Sequence, residues 1–131
     1  DRIDLQLEVP PVKYSELIES REGEPSEEIR KRVGKARDLQ RDRFRKLGKQ
    51  GDTIHCNAQM AGRLIRRFCP VDPAGARILE QAVEKLGLSA RAYDRILKVA
   101  RTIADLAGCE SIKPDHLSEA IQYRSLDRSR L

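Results

Sequence analysis

Residues 87–108 read GLSARAYDRILKVARTIADLAG, and no other segment of the chain is so strongly patterned as a helix. Its apolar residues recur every three or four positions, as along one face of an α-helix. They are Tyr93, Ile96, Leu97, Ala100, Ile103, Ala104 and Ala107. Ser89 stands where an N-cap is expected, and Gly108 stands where the helix should end. The segment therefore predicts a long amphipathic helix with Arg91 in its first turn.

Shorter helices are predicted on both sides of this one. Asp72-Pro73 pairs a capping side chain with proline at the first helical position, and Gly87 ends the helix that it starts. Pro114 opens a last helix, and Asn57 is placed to cap an earlier one. The expected inward residues are Met60, Leu64, Ile65, Phe68, Ile78, Leu79, Ala82, Val83, Leu86, Leu117, Ala120 and Ile121. The pattern predicts an all-α fold, a small helical bundle within residues 57–131.

A long basic helix precedes the bundle. Ser26 is the expected N-cap, and the acidic Glu27 and Glu28 follow in the first turn, where the helix dipole favours anions. One side of the helix is expected to carry Ile29, Val33, Ala36, Gln40, Phe44 and Leu47. Gly48 and Gly51 end the helix after about six turns. Residues 26–56 are therefore interpreted as a basic helix with its linker.

The first 25 residues are predicted to form an extended arm. Apolar and polar residues alternate from Ile3 to Val9, as in a strand with one buried face, and a short helix is expected over residues 14–19. A strand needs a neighbour for its backbone groups, and no later segment alternates in this way. We therefore expect the arm to be the end of a sheet that lies upstream of Asp1.

Composition excludes several classes of protein. The 131 residues contain no apolar run long enough to cross a membrane, and the first residues lack a signal core and an initiator Met. These features indicate a processed or partial chain that is not an integral membrane protein. The three cysteines, Cys56, Cys69 and Cys109, form no CxxC pair, which argues against a disulfide framework and favours a reducing cytoplasm.

Motifs for independent catalysis are missing from the sequence. It contains no GxSxG, no HExxH and no GxxxxGK[ST] phosphate loop. The soft ligand candidates are His55, Cys56, Cys69, Cys109 and His116, whose spacings match no zinc finger or ribbon. No metal site is predicted, and the thiols are interpreted as buried or inert.

Charge is concentrated in one segment. The chain has 26 Lys and Arg against 21 Asp and Glu, for a net charge of +5, but residues 30–49 alone have ten basic and two acidic side chains. Arg30, Lys35, Arg37 and Arg43 lack an obvious partner, and they are candidates for contact with nucleic-acid phosphates. The alternative is a solvated helix held by i,i+4 pairs such as Glu27 with Lys31 and Asp42 with Lys46. Charge alone leaves both interpretations open.

Arg91 also has two interpretations. A cation in the first turn of a helix opposes the helix dipole, so helix stability does not explain this residue. It is either an anion-binding residue or the partner of a carboxylate such as Glu80 or Glu84. The pattern of the residues does not choose between the two.

Several runs of residues together resemble a known family. They are Gly87 to Leu106, His116 to Arg124, Leu126-Asp127-Arg128, Asn57, Met60, Arg67-Phe68-Cys69 and the spaced series Ile29, Arg32, Val33, Ala36, Arg37, Gln40 and Arg43. The opening Asp1-Arg2-Ile3-Asp4 resembles the end of the Leu-Leu-Asp-Arg-(Ile/Phe)-Asp segment in the same family. The chain is similar to the C-terminal end of the magnesium-chelatase-like AAA+ ATPases of the ComM/YifB type.

This resemblance implies a fold and a role for two arginines. The expected fold is a helical bundle of the AAA+ lid type, with the N-terminal arm left over from the ATPase sheet. Arg2 corresponds to the arginine finger that reaches the γ-phosphate bound by a neighbouring subunit, and Arg91 corresponds to the sensor-2 residue. Both guanidinium groups would stabilise charge on the transferred phosphoryl group. The resemblance therefore favours phosphate sensing for Arg91.

The resemblance also implies partners that this chain does not contain. The parent protein would bind ATP and Mg²⁺ through an upstream AAA+ core and assemble as a ring, commonly a hexamer. Members of the ComM type are similar to motors that translocate DNA in transformation and recombination. The alternatives are the lid of a chelatase-type or protein-remodelling motor and a stand-alone helical DNA-binding module. Without a phosphate loop, this piece by itself is not expected to hydrolyse ATP or to hold a cofactor.

Overall fold

The computed structural model describes residues 3–18, 23–48 and 54–124. Six α-helices lie in these ranges: α1 (Tyr14–Ile18), α2 (Ser26–Arg45), α3 (Gly62–Phe68), α4 (Pro73–Leu86), α5 (Ala90–Leu106) and α6 (Pro114–Gln122). A 3₁₀ turn, Asn57–Gln59, precedes α3. No strand occurs in the described ranges, and a single parallel bridge joins Val71 to Ile112. The all-α prediction is confirmed.

Helix α5 is the centre of the bundle. It packs against α6, α2, α3 and the 3₁₀ turn, and α4 packs against α6. Ile96, Ala100 and Ala104 on α5 are completely buried, as is Leu117 on α6. Phe44 of α2 belongs to the same core and meets Phe68 edge-on, with 5.8 Å between the ring centroids. Burial of these apolar faces provides the main driving force for the fold.

Two helix starts agree with the sequence prediction because local side chains determine them. Asp72 Oδ1 accepts a hydrogen bond from the Gly75 amide (2.7 Å), and Ser89 Oγ accepts one from the Ala92 amide (3.1 Å). Each bond satisfies an amide that has no partner within its helix. Gly87 ends α4 with φ 60°, a conformation that glycine adopts without steric cost.

Two predicted caps are wrong. Helix α2 already includes Ser26, and its N-cap is Pro25, whose carbonyl accepts from the amides of Glu28 and Ile29. Asn57 caps no helix, because it is buried in the 3₁₀ turn and its side chain bonds to Arg43, Thr102 and Asp105. Helix α3 begins only at Gly62.

Some expected core positions face solvent. Ile29 and Val33 are 41% and 44% exposed, since the first half of α2 extends beyond the bundle and only Ala36, Gln40 and Phe44 of this helix are buried. Val83 on α4 is 37% exposed, and Ala107 is exposed just after α5. The predicted helical period is therefore correct at these places, but the buried face is narrower than the pattern predicts.

The arm is extended but forms no strand. Residues 3–9 have no β-ladder partner in the described ranges, and Leu5, Leu7 and Val9 are exposed. The short helix is present as α1, although Glu19 lies outside the described residues. The strand expected over residues 3–9 is therefore not formed among the described residues, and its origin in an upstream sheet remains a prediction. The domain division at residues 25 and 56 remains a prediction.

Candidate functional site

Arg91 occupies the second position of α5, directly after the Ser89 cap and Ala90. Its side chain is exposed, and it makes no ion pair with any described residue, so the expected alternative partners Glu80 and Glu84 do not hold it. The guanidinium group therefore faces solvent at the end of the helix where the dipole disfavours a cation. This placement leaves all of its donors available to an anion.

One turn further along α5, Arg95 binds the beginning of the arm. Its Nη1 lies 3.0 Å from Asp4 Oδ1. Arg124, at the end of α6, donates from Nη1 to the Ile3 carbonyl (3.1 Å), and the Gln6 amide donates to the Tyr123 carbonyl (3.0 Å). Residues 3–6 are thus attached to the α5–α6 pair. The proposed finger Arg2 lies outside the described residues.

A buried ionic cluster joins α2 to the other end of α5. The Asp105 carboxylate accepts from both Nη atoms of Arg43, at 2.6 and 2.9 Å, and from Arg101 Nε at 3.2 Å. Asn57 Nδ2 donates to the same carboxylate (2.8 Å), while the backbone N–H of Asn57 donates to Gln40 Oε1 (3.0 Å). In the described part of the chain, every buried side-chain nitrogen and oxygen has a hydrogen-bond partner. The cluster is therefore internally satisfied.

Sequence reasoning missed this cluster, although one signal was available. Arg101 and Asp105 follow Leu97 at intervals of four residues, so all three lie along the apolar face of α5. Charged residues in such a series are expected to be buried only if they are paired. Their other partners are distant in the sequence, so no local pattern connects Asp105 with Arg43.

The cluster corrects one prediction about the basic helix. Arg43 is not an unpaired cation, because its side chain is 14% exposed and its guanidinium group forms a bidentate pair with Asp105. Arg30, Lys35 and Arg37 are exposed, and none of them forms an ion pair with a described residue. Neighbouring cations do pair: Lys31 lies 3.8 Å from Glu28, and Arg32 is bonded to Glu24.

The cysteines show no arrangement suited to metal binding or catalysis. Burial raises the pKa of the Cys69 thiol to about 11, and the nearby Arg101 and Arg43 only partly oppose this effect. At neutral pH the group is therefore a protonated, unreactive thiol. Among residues 3–18, 23–48 and 54–124, no three His, Cys, Asp or Glu side chains come together as a metal site, and no helix is long and apolar enough to span a bilayer.

Comparison with known proteins identifies relatives over nearly the whole chain. Residues 23–124 match the family described as magnesium chelatase, subunit ChlI C-terminal. The chain is 43% identical over 129 residues to competence protein ComM of Haemophilus influenzae and 42% identical to the uncharacterized protein YifB of Salmonella typhimurium. An uncharacterized Mycobacterium bovis protein, Mb2921c, is 32% identical over 124 residues. The first two matches cover 98% of this chain and the third covers 95%, but the chain spans only about a quarter of the length of each relative, 24%.

Proposed function

This chain belongs to the family of the magnesium chelatase subunit ChlI C-terminal domain, and from that premise we propose that it is the nucleotide-sensing lid of an AAA+ ATPase. Its relatives are about four times its length, so the ATPase core is assigned to the rest of the parent protein. Arg91 contacts the bound nucleotide, so the position of the lid depends on the nucleotide state. A change in the position of the lid moves the parts of the motor that contact the substrate.

The free guanidinium of Arg91 is the observation that supports this proposal. It is exposed at the start of the most central helix, where its charge does not stabilise the helix. Arginine is suited to this role because its planar donors match the geometry of phosphate oxygens. In this role, Arg91 would contact a phosphate oxygen of ATP held by the core and would stabilise the charge that develops there.

In this proposal, the chain supplies one contact to a nucleotide, through Arg91, and not a complete nucleotide-binding site. The sequence has no phosphate loop, and the described residues include no group of carboxylates placed to hold Mg²⁺. ATP and Mg²⁺ are therefore assigned to the upstream core of the parent. We expect this chain by itself not to hydrolyse ATP.

The arginine finger and the assembly form the second part of the proposal. Arg2 directly precedes the attached residues 3–6 and acts in trans on the nucleotide of the next subunit. This requires a neighbouring subunit, and we propose that the subunits form a closed ring, a hexamer. The motor works in the cytoplasm, consistent with three free cysteines among the described residues.

DNA is the proposed substrate of the motor. A relative is named a competence protein, and the exposed cations Arg30, Lys35 and Arg37 of α2 are available for phosphate contacts. Salt-dependent DNA binding tests this part separately from nucleotide sensing. If DNA does not bind, a chelatase-type or protein-remodelling motor becomes the better interpretation, with the role of Arg91 unchanged.

Replacement of Arg91 in the full-length parent tests the lid proposal. Arg91→Ala should lower the ATPase kcat by about 10- to 100-fold, the effect of losing one charged hydrogen bond. Arg91→Lys, which keeps the charge but not the planar donors, should recover part of the loss. Arg77→Ala removes an exposed arginine from α4 as the matched control. Unchanged kcat in Arg91→Ala would remove the basis of the proposal.

Thermal unfolding of the same variants separates sensing from structure. Arg91 is exposed and makes no ion pair with a described residue, so its replacement should change the free energy of unfolding by less than about 0.5 kcal/mol. A loss of several kcal/mol would show that the side chain is structural.

A further inference from the structure

The first residues of the arm are attached to α5 and to the end of α6 by polar contacts, and their apolar side chains remain largely exposed. Apart from Gln6, which is half-buried, residues 3–18 are exposed, and Leu7 and Val9 are 71% and 83% exposed. The contacts include the Arg95–Asp4 ion pair, the hydrogen bond from Arg124 Nη1 to the Ile3 carbonyl and the hydrogen bond from the Gln6 amide to the Tyr123 carbonyl. Such a segment is held in position without contributing to the core.

Arg95 and Arg91 lie on the same face of α5. Residues four apart on a helix are neighbours, separated by about 6 Å along its axis. Arg91 makes no ion pair with a described residue, whereas Arg95 binds Asp4, which lies two residues after Arg2 in the sequence. One helix therefore presents a free guanidinium group and, one turn later, the group that binds the arm.

From this juxtaposition we propose that Arg95 is a positioning residue: it ties the arm to α5, so that a shift of α5 on nucleotide binding at Arg91 moves the segment carrying Arg2. The inference rests on the proposed function and adds a physical link between two neighbouring nucleotide sites of the motor. Nucleotide bound in one subunit acts through Arg91, α5 and Arg95 on the arginine that this subunit offers to the next.

The partly exposed pair suits this role better than a structural one. The side chains of Arg95 and Asp4 are 22% and 51% exposed. Exposed ion pairs add little to stability, so the bundle does not depend on this one. The groove beneath the arm, about 360 Å³, is lined by Leu5 and Leu7 of the arm together with Val99, Ile103 and Tyr123. The arm therefore lies over an apolar groove and outside the packed core.

Amide hydrogen exchange in the 131-residue chain tests the attachment. The Gln6 amide, which donates to the Tyr123 carbonyl, reports whether the arm is seated. In Arg95→Ala and in Asp4→Asn, this amide should exchange about two- to fivefold faster, the range expected when an exposed ion pair is removed. Arg95→Lys should preserve most of the protection, and Arg77→Ala should leave it unchanged. Equal exchange in Arg95→Ala and wild type would overturn the proposal.

ATPase measurements on the parent test the positioning role. Arg95→Ala should lower kcat about three- to tenfold and leave the KM for ATP unchanged, because Arg91 is intact. Arg95→Lys should restore kcat. Faster Gln6 exchange with an unchanged kcat would overturn the positioning role, as would an Arg2→Ala variant of normal activity. A reduced kcat in Arg95→Ala alongside normal activity in Arg91→Ala would instead refute the sensing role of Arg91 and retain the link through Arg95.

Discussion

Asp105 makes the buried polar connection between α2 and the bundle. Its side chain is 1% exposed and accepts hydrogen bonds from Arg43, Arg101 and Asn57. The burial of one carboxylate with two guanidinium groups is tolerated because the donors of Arg101 that do not face Asp105 bind the carbonyls of Cys109 and Glu110. The cluster therefore joins α2 to α5 by directed hydrogen bonds in addition to the apolar contacts.

Removal of this carboxylate should strongly destabilise the chain. Asp105→Ala leaves two largely buried arginines without their anion, and we expect a loss of about 3–5 kcal/mol in the free energy of unfolding, measured with urea. Asp38→Ala on α2 is the matched control, because Asp38 is exposed and its pair with Arg41 spans 3.8 Å. A loss below about 1 kcal/mol for Asp105→Ala would contradict the structural role of the cluster.

The same cluster shows why individual side chains are difficult to assign from sequence. Arg43 has basic neighbours in a solvated helix, and nothing within one turn distinguishes it from Arg37. Its partner is 62 residues away, and a pairing of that separation leaves no local pattern. The prediction for Asn57 is wrong for the same reason, since a cap and a buried amide have the same local sequence. Arg91 is singled out as a candidate from sequence because a cation in the first turn conflicts with the dipole of its own helix, which is a local property.

Helices α4 and α6 approach each other closely at Gly75, in the first turn of α4. A Cβ atom added at Gly75 would lie 2.7 Å from Leu117 Cδ1 of α6, and the Asp72 and Val71 side chains lie at 3.1 and 3.2 Å. Leu117 is completely buried, so it has little room to yield. The absence of a side chain at position 75 therefore sets the distance between α4 and α6.

Alanine substitution at two helical glycines should have opposite effects. Gly75→Ala forces α4 away from α6 and should cost about 1–3 kcal/mol. Gly34→Ala should stabilise the chain by about 0.5–1 kcal/mol, because nothing lies within 4 Å of the new Cβ and alanine favours the helix. Chemical denaturation of both variants gives the comparison. Stabilisation by Gly75→Ala would mean that the two helices are not closely packed there.

At the level of helices, sequence reasoning succeeds where the signal is short-range. The Asp72-Pro73 start, the Ser89 cap and the Gly87 stop are each defined within four residues, and the structure has all three. It fails where neighbouring elements decide the outcome. Ile29 and Val33 have the right period for burial but lie on a part of α2 that no described element covers. The alternating arm likewise predicts a strand whose partner the described chain does not contain.

Acidic and basic side chains are unevenly distributed along the chain. Residues 1–28 contain three basic and nine acidic side chains, whereas residues 30–49 contain ten basic and two acidic ones. The first residues of the arm lie against the α5–α6 pair, while the exposed cations of α2 lie on a helix that extends beyond the bundle. A polyanion is therefore expected to approach α2 first.

Salt dependence of DNA binding tests this polarity across the whole chain. Replacing Arg30, Lys35 and Arg37 with Gln should weaken duplex binding at low salt. It should also reduce the slope of log affinity against log salt by about 0.9 for each phosphate that is no longer neutralised. The matched control replaces three exposed cations of the bundle, Arg66, Arg77 and Lys85, and lowers the net charge equally.

Equal weakening of DNA binding by both triple substitutions would mean that net charge alone attracts DNA and that α2 has no specific role. Contacts between these cations and DNA phosphates would give an affinity that is strongest at low salt. Absence of binding at low salt would therefore refute the DNA-binding role of α2.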